Sequence, residues 1–182
     1  WALSLFCLFF AVLGEVEMDF VRASDLYEWC RVPAEKLDGH PDLKVKFRMV
    51  EDRVTMGELM ASELVEVIQT NNSAGKPTRA IIPCGPSCWY QPWTSMVNEQ
   101  GLSLRNLTVF HMDECLDWQA RPLPKGHPYN FRSEMERVFY GPVRAELNVP
   151  ENQRYWLTPA TAENVEKAIA AGPIDVTYGG WG

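Results

Sequence analysis

Two neighbouring carboxylates, Asp113 and Glu114, close the apolar run that ends in Phe110-His111-Met112. A buried strand that stops abruptly in acids delivers charge to the rim of a sheet, where open α/β folds bind their ligands. A carboxylate there, desolvated in a cleft, is able to remove a proton at neutral pH. Taken alone, an acid pair is more simply the first solvated residues after a core strand. Two other stretches carry related chemistry. Cys84-Gly85-Pro86-Ser87-Cys88 lies between an apolar run and a helical pattern, the arrangement that offers backbone N–H groups and a hydroxyl to an anion. Gly179-Gly180-Trp181-Gly182 is rich in glycine, as required where backbone approaches a ligand closely.

The elements that must position these stretches are legible from periodicity. Val45, Phe47 and Met49 alternate with Lys44, Lys46 and Arg48, predicting a strand over Lys44 to Val50 with one wet face. From Asp52 to Thr70, Met56, Met60, Leu64 and Val67/Ile68 recur at helical spacing with Leu59 widening the face, and Asn71 to Pro77 supplies the stop. Ala80-Ile81-Ile82 marks a strand over Thr78 to Cys84 covered on both faces. Further elements are a helix from about Trp89 to Glu99, a strand from Leu104 to His111, and a helix from Phe131 to Tyr140 ended by Gly141-Pro142. Residues 143 to 157 read as a helical turn and a connection. A helix capped at Thr158 or Thr161, with Ala162, Val165, Ala168 and Ile169 inward, leads to a strand over Ile174 to Tyr178. This alternation predicts parallel strands with right-handed crossovers, so the three chemical stretches share one sheet edge.

Residues 19 to 43 have little periodicity and read as an irregular lead-in with one helical turn near Leu26 and His40 at a turn. The expected organisation is therefore a lead-in over 1–43 and a domain over 44–182. Trp1 to Leu13 is almost wholly apolar but shorter than the roughly 20 residues a membrane helix needs. No Lys or Arg precedes it, as a secretory signal would require. The reading is a piece of a longer reading frame, with Met18 as a start and residues 1–17 outside the native fold; a clipped signal or anchor is the alternative. The 182 residues, 46% apolar, can supply a core, and a net charge of -7 without a basic stripe argues against nucleic acid. Five cysteines at irregular spacing, with no Cys-x-x-Cys, predict reduced thiols in a cytoplasm and no zinc site. No residue cluster calls for a metal or an organic cofactor, and nothing in the sequence excludes a homo-oligomer.

Together, Phe110-His111-Met112-Asp113-Glu114, His127-Pro128, Asn130-Phe131 leading into a helix that ends Val138-Phe139, and the final Gly-Gly-Trp-Gly resemble the glucosamine-6-phosphate deaminase/isomerase family. The resemblance covers roughly residues 44 to 182 in the same order. It implies a Rossmann-like three-layer parallel sheet with helices on both faces, incomplete at the C-terminus. It also implies a cytoplasmic enzyme that acts on a small sugar phosphate, without membrane or nucleic acid as partner. The chemistry would convert glucosamine 6-phosphate to fructose 6-phosphate and ammonia. Asp113 matches the base that takes the C2 proton, and Glu114, its partner in the catalytic motif, anchors the loop. Cys84, Gly85 and Ser87 match the phosphate loop, and Gly179, Gly180 and Gly182 the substrate loop.

The departures from that pattern are specific. Pro86 stands where the family has glycine and has no N–H to donate, Cys84 replaces a hydroxyl residue, and His111 replaces Asn. The family's Asp-Gly-His stretch and its distal phosphate-binding lysine would follow Gly182, so the 182 residues alone are expected to be inactive. Two alternatives stay open. A 6-phosphogluconolactonase-like hydrolase would show Asp-Glu-Arg, and Cys115 stands at the Arg position. A sugar-phosphate-sensing module would bind without turnover. His127 is read as a turn residue before Pro128, with a place near the sugar as the alternative, and the tryptophans as packing rather than sugar platforms, with Trp181 the best exception.

Overall fold

The computed structural model describes residues 22–44, 46 and 48–180. The chain divides at Met49/Val50 into two units. In the first, helix α1 (Ala23–Cys30) and a 3-10 turn (Ala34–Lys36) bury none of their residues. The Trp29 indole donates to the Asp42 carboxylate at 2.9 Å, and His40 Nδ1 accepts from the Asp42 N–H at 3.3 Å, which makes His40 a turn residue. The strand predicted over Lys44 to Val50 is not formed by its described residues: Lys44, Lys46 and Arg48–Val50 belong to no strand. Alternation specifies the two faces of a strand but supplies no ladder partner, and β pairing needs one. Val45 and Phe47 lie outside the described residues.

The second unit follows the predicted alternation closely. In chain order it contains α2 (Arg53–Ser73), β1 (Thr78–Ile82), α3 (Tyr90–Gln100), β2 (Leu107–His111), α4 (Phe131–Met135), β3 (Arg154–Tyr155), α5 (Ala162–Ala170) and β4 (Val176–Thr177). The four strands form one parallel sheet in the order β3-β2-β1-β4. This is a Rossmann-like α/β fold. The chain steps outward from β1 to β2 to β3, then returns to the far side of β1 as β4. The switch point thus falls between β1 and β4, the position where such sheets open a crevice beyond the strands' carboxyl ends.

One sheet face carries the main core. Ala80 and Ile82 of β1 with Leu107 and Val109 of β2 pack against α2, α3 and the turn after α4. Asp52 caps α2 by accepting the Thr55 N–H at 2.8 Å, and Gly101 at φ 61° ends α3 in the left-handed conformation glycine favours. The residues α2 buries are Gly57, Ala61, Leu64, Val65 and Ile68. The closest packing therefore falls on its small residues, with Met56 and Met60 only partly buried beside them. An added Cβ at Gly57 would lie 2.3 Å from the Cys88 carbonyl oxygen, so α2 and the 87–89 turn meet backbone to backbone. Around them Trp93 stacks on Phe139 at 5.0 Å, and Trp89 touches Phe139 and Tyr178.

The other face is covered by α5 and held by a polar clamp. Arg79 alternates to that side of β1, lies over the Phe110 ring at 5.2 Å, and donates to the carbonyls of Ala168, Ile169, Gly172 and Pro173 at the end of α5. A guanidinium there satisfies carbonyls that the helix leaves unpaired and complements its dipole. Strand β3 had no apolar run to announce it. It is a two-residue edge strand whose Arg154 binds the Val149 carbonyl and lies 4.0 Å over the Tyr140 ring, as suits a charged residue on a sheet edge. The predicted helix over 131–140 is present, but its second half, Glu136–Tyr140, is a π turn closed by the Gly141 N–H on the Glu136 carbonyl.

Candidate functional site at the carboxyl edge of the sheet

The register of β1 against β2 pairs Ile82 with His111, so the residues after each strand emerge side by side. The Met112 N–H continues the ladder to the Ile82 carbonyl at 3.0 Å. One residue further, Asp113 Oδ1 accepts the Cys84 N–H at 2.8 Å. The two loops are thereby tied together across the edge. Asp113 is half-buried, and Oδ2 has no hydrogen-bond partner among the described residues. Burial raises the Asp113 pKa above the ordinary carboxylate range, the Cys84 N–H pulls it back, and the Glu114 charge raises it again. Such a carboxylate is oriented through one oxygen and basic through the other.

Glu114 stands in a different environment. Its Oε1 accepts from the Cys115 and Phe131 N–H groups at 3.0 and 2.7 Å, and its Oε2 from the Arg132 N–H at 3.0 Å. Asn130 completes the start of α4 by accepting the Ser133 N–H at 2.7 Å, and its amide donates to the Leu123 carbonyl at 2.6 Å. Glu114 thus pins the long loop that leaves the edge to the helix that follows it. Within that loop, His127 Nδ1 accepts the Tyr129 N–H at 3.1 Å on an exposed turn, while Trp118 is 88% exposed.

Beneath Asp113, the buried His111 ring stacks on Trp156 at 3.7 Å and its Nε2 meets the Tyr140 hydroxyl at 2.9 Å. Arg132 lies 5.1 Å over the Trp156 ring. Burial, reinforced by Arg154 and Arg132, lowers the His111 pKa to about 3, so the ring is neutral and serves as a wedge rather than a proton carrier. Cys84 is equally unreactive, because burial and then Asp113 push its thiol up to about 11. The Tyr90 hydroxyl, also shifted up by burial, contacts Met135 Sδ at 3.4 Å.

The turn after β1 is less uniform than a phosphate loop built only from backbone. Gly85 has φ 117°, a conformation that residues with a side chain adopt only with strain, and Pro86 offers no N–H. The Cys84 N–H is committed to Asp113. Ser87 is exposed, and its Oγ accepts from Arg53 Nη2 at 3.1 Å. Sequence reading missed Arg53. A signal for it existed: a helix running antiparallel into β1 must start at the carboxyl edge, and Asp52 marks that start.

Gly179 and Gly180 follow β4 and are exposed, with the Tyr178 N–H bonded to the Ile81 carbonyl at 3.0 Å; Trp181 and Gly182 lie outside the described residues. The β1, β2 and β4 loops therefore leave neighbouring strands at one edge, as expected. A surface hollow of about 380 Å³ lies elsewhere, lined by Arg105, Asn148, Glu151 and Arg154 around residues that precede β2 and β3, and contains none of the candidate residues. Among the described residues no group of three His, Cys, Asp or Glu side chains is placed to hold a metal, and no helix is long and apolar enough to cross a membrane.

No family model and no curated protein matches the sequence. A solved structure does match the fold: a monomeric glucosamine-6-phosphate deaminase, described as a missing link of the NagB superfamily, aligns with a TM-score of 0.54 and 13% identity. The alignment covers 67% of this chain and 48% of that one, so the chain spans about half the length of the structure it matches. The likeness establishes a distant relation at the level of the fold.

Proposed function

We propose that this chain carries the base-bearing part of a sugar-phosphate enzyme that converts glucosamine 6-phosphate to fructose 6-phosphate and ammonia. The observation that carries the reading is Asp113, fixed at the carboxyl edge by the Cys84 N–H and left with one oxygen that has no hydrogen-bond partner among the described residues. In the open-chain amino sugar the C2–H bond lies next to an aldehyde. Removal of that proton by Asp113 leaves an enolamine, reprotonation at C1 gives the imine of the ketose, and water releases ammonia. One carboxylate placed between adjacent carbons serves both proton transfers. Glu114 holds the loop and takes no proton in this scheme. Gly85, Ser87 and the Gly179-Gly180 segment face the same edge and would receive the sugar and its phosphate.

The same fold in a glucosamine-6-phosphate deaminase supports the choice of substrate. The test is ammonia release from glucosamine 6-phosphate by the full-length gene product. Activity that Asp113→Asn removes is the expected result. Activity in the wild type that survives Asp113→Asn, or none in either, contradicts the proposal.

A further inference from the structure

We infer that Arg53 is a specificity-determining residue that, together with the Ser87 hydroxyl, takes the phosphate monoester of the substrate. The inference rests on the proposed sugar-phosphate reading and deepens it, because Arg53 lies outside every motif that suggested that reading. Four observations carry it. The turn after β1 is poor in donors, since Pro86 has no N–H and that of Cys84 is spent on Asp113. Arg53 Nη2 donates to Ser87 Oγ at 3.1 Å, so a cation stands beside the hydroxyl at the same edge as Asp113. No carboxylate pairs with that guanidinium among the described residues, leaving its remaining N–H groups free for a second, bidentate acceptor. Finally, the backbones that carry the pair are packed together: Gly57, one turn after Arg53, sits against the Cys88 carbonyl, which sets the start of α2 beside the 87–89 turn.

Arg53 also opposes the local helix preference. The first turn of α2 holds no acidic residue, and a cation there runs against the helix dipole, which favours anions at that end. Helix stability therefore gives no reason for an arginine at this position. A phosphate dianion at Ser87 does. It would be met by the guanidinium fork and the hydroxyl, in place of the backbone donors that Pro86 and Cys84 withhold.

The test uses the full-length gene product, as wild type and as Arg53→Gln, titrated by calorimetry with glucosamine 6-phosphate and with unphosphorylated glucosamine. The wild type is expected to prefer the phosphorylated sugar, and Arg53→Gln to lose about tenfold or more of that preference while binding glucosamine unchanged. Arg53→Lys, which keeps the charge, is expected to restore part of it. Because Arg53 is exposed and its charge opposes the helix dipole, Arg53→Gln should unfold at or slightly above the wild-type midpoint, which separates lost recognition from lost folding. If Arg53→Gln binds glucosamine 6-phosphate as tightly as the wild type, the inference is wrong even where ammonia release persists. If phosphate-dependent binding requires Arg53 but no ammonia is released, the inference stands and the deaminase reading falls.

Discussion

The rim around Asp113 and the start of α4 around Glu114 are adjacent in the chain and opposite in character. Asp113 receives one backbone N–H and keeps one oxygen without a partner among the described residues, with burial raising its pKa. Glu114 receives three backbone N–H groups and spends both oxygens on them. An unmet carboxylate costs stability and gains reactivity, whereas a saturated one does the reverse. In the proposed reading, the difference separates chemistry from support inside a two-residue motif that the sequence presents as a unit.

Substitutions should expose that division. Asp113→Asn is expected to reduce ammonia release by about a thousandfold. The same change should raise the unfolding midpoint at neutral pH, because the raised pKa means that the Asp113 charge is a cost in the folded state. A lowered midpoint would count against this picture. Glu114→Ala should instead destabilise the fold by about 1–2 kcal/mol, chiefly by stranding the part-buried Phe131 N–H, as read by urea unfolding. An equal loss of activity with no change in stability would reverse the roles.

Gly57→Ala acts on the Asp113 side from a distance, by forcing α2 off the Cys88 carbonyl, and should cost about 1–3 kcal/mol. His111 gives the subtlest signature. Its pKa falls from an ordinary 6.5 to about 3 on folding, so below pH 6.5 the unfolded chain binds the proton that the folded one refuses. Stability from this group is full above 6.5 and declines as pH falls towards 3. Unfolding curves at pH 7 and pH 5 should show a smaller loss for His111→Phe than for the wild type; equal losses would mean that His111 is not held neutral.

Much of this was readable in the residues, with instructive gaps. The α2 helix, the strands β1 and β2 and the shared edge followed from spacing, because buried parallel strands and amphipathic helices write their burial into composition. Edge strand β3 left no such trace, since Arg154 is held by the Val149 carbonyl and the Tyr140 ring rather than by an apolar face. The Lys44 to Val50 alternation gave a strand pattern whose described residues form no strand, because pairing partners are not encoded locally. Around the site, Asp113 was legible from its place after β2 and Glu114 as a loop anchor. Arg53 and the His111–Trp156 stack were not, because both depend on residues distant in sequence meeting across the fold.

The most direct test of Asp113 as the base follows the proton itself. Glucosamine 6-phosphate deuterated at C2 would be converted by the full-length gene product in ordinary water, and the fructose 6-phosphate examined by NMR for deuterium at C1. Wild-type turnover that carries deuterium from C2 to C1, with none carried by Asp113→Asn, is the predicted result. Transfer at the wild-type rate by Asp113→Asn would show that another group moves the proton, and the account of this site would fail.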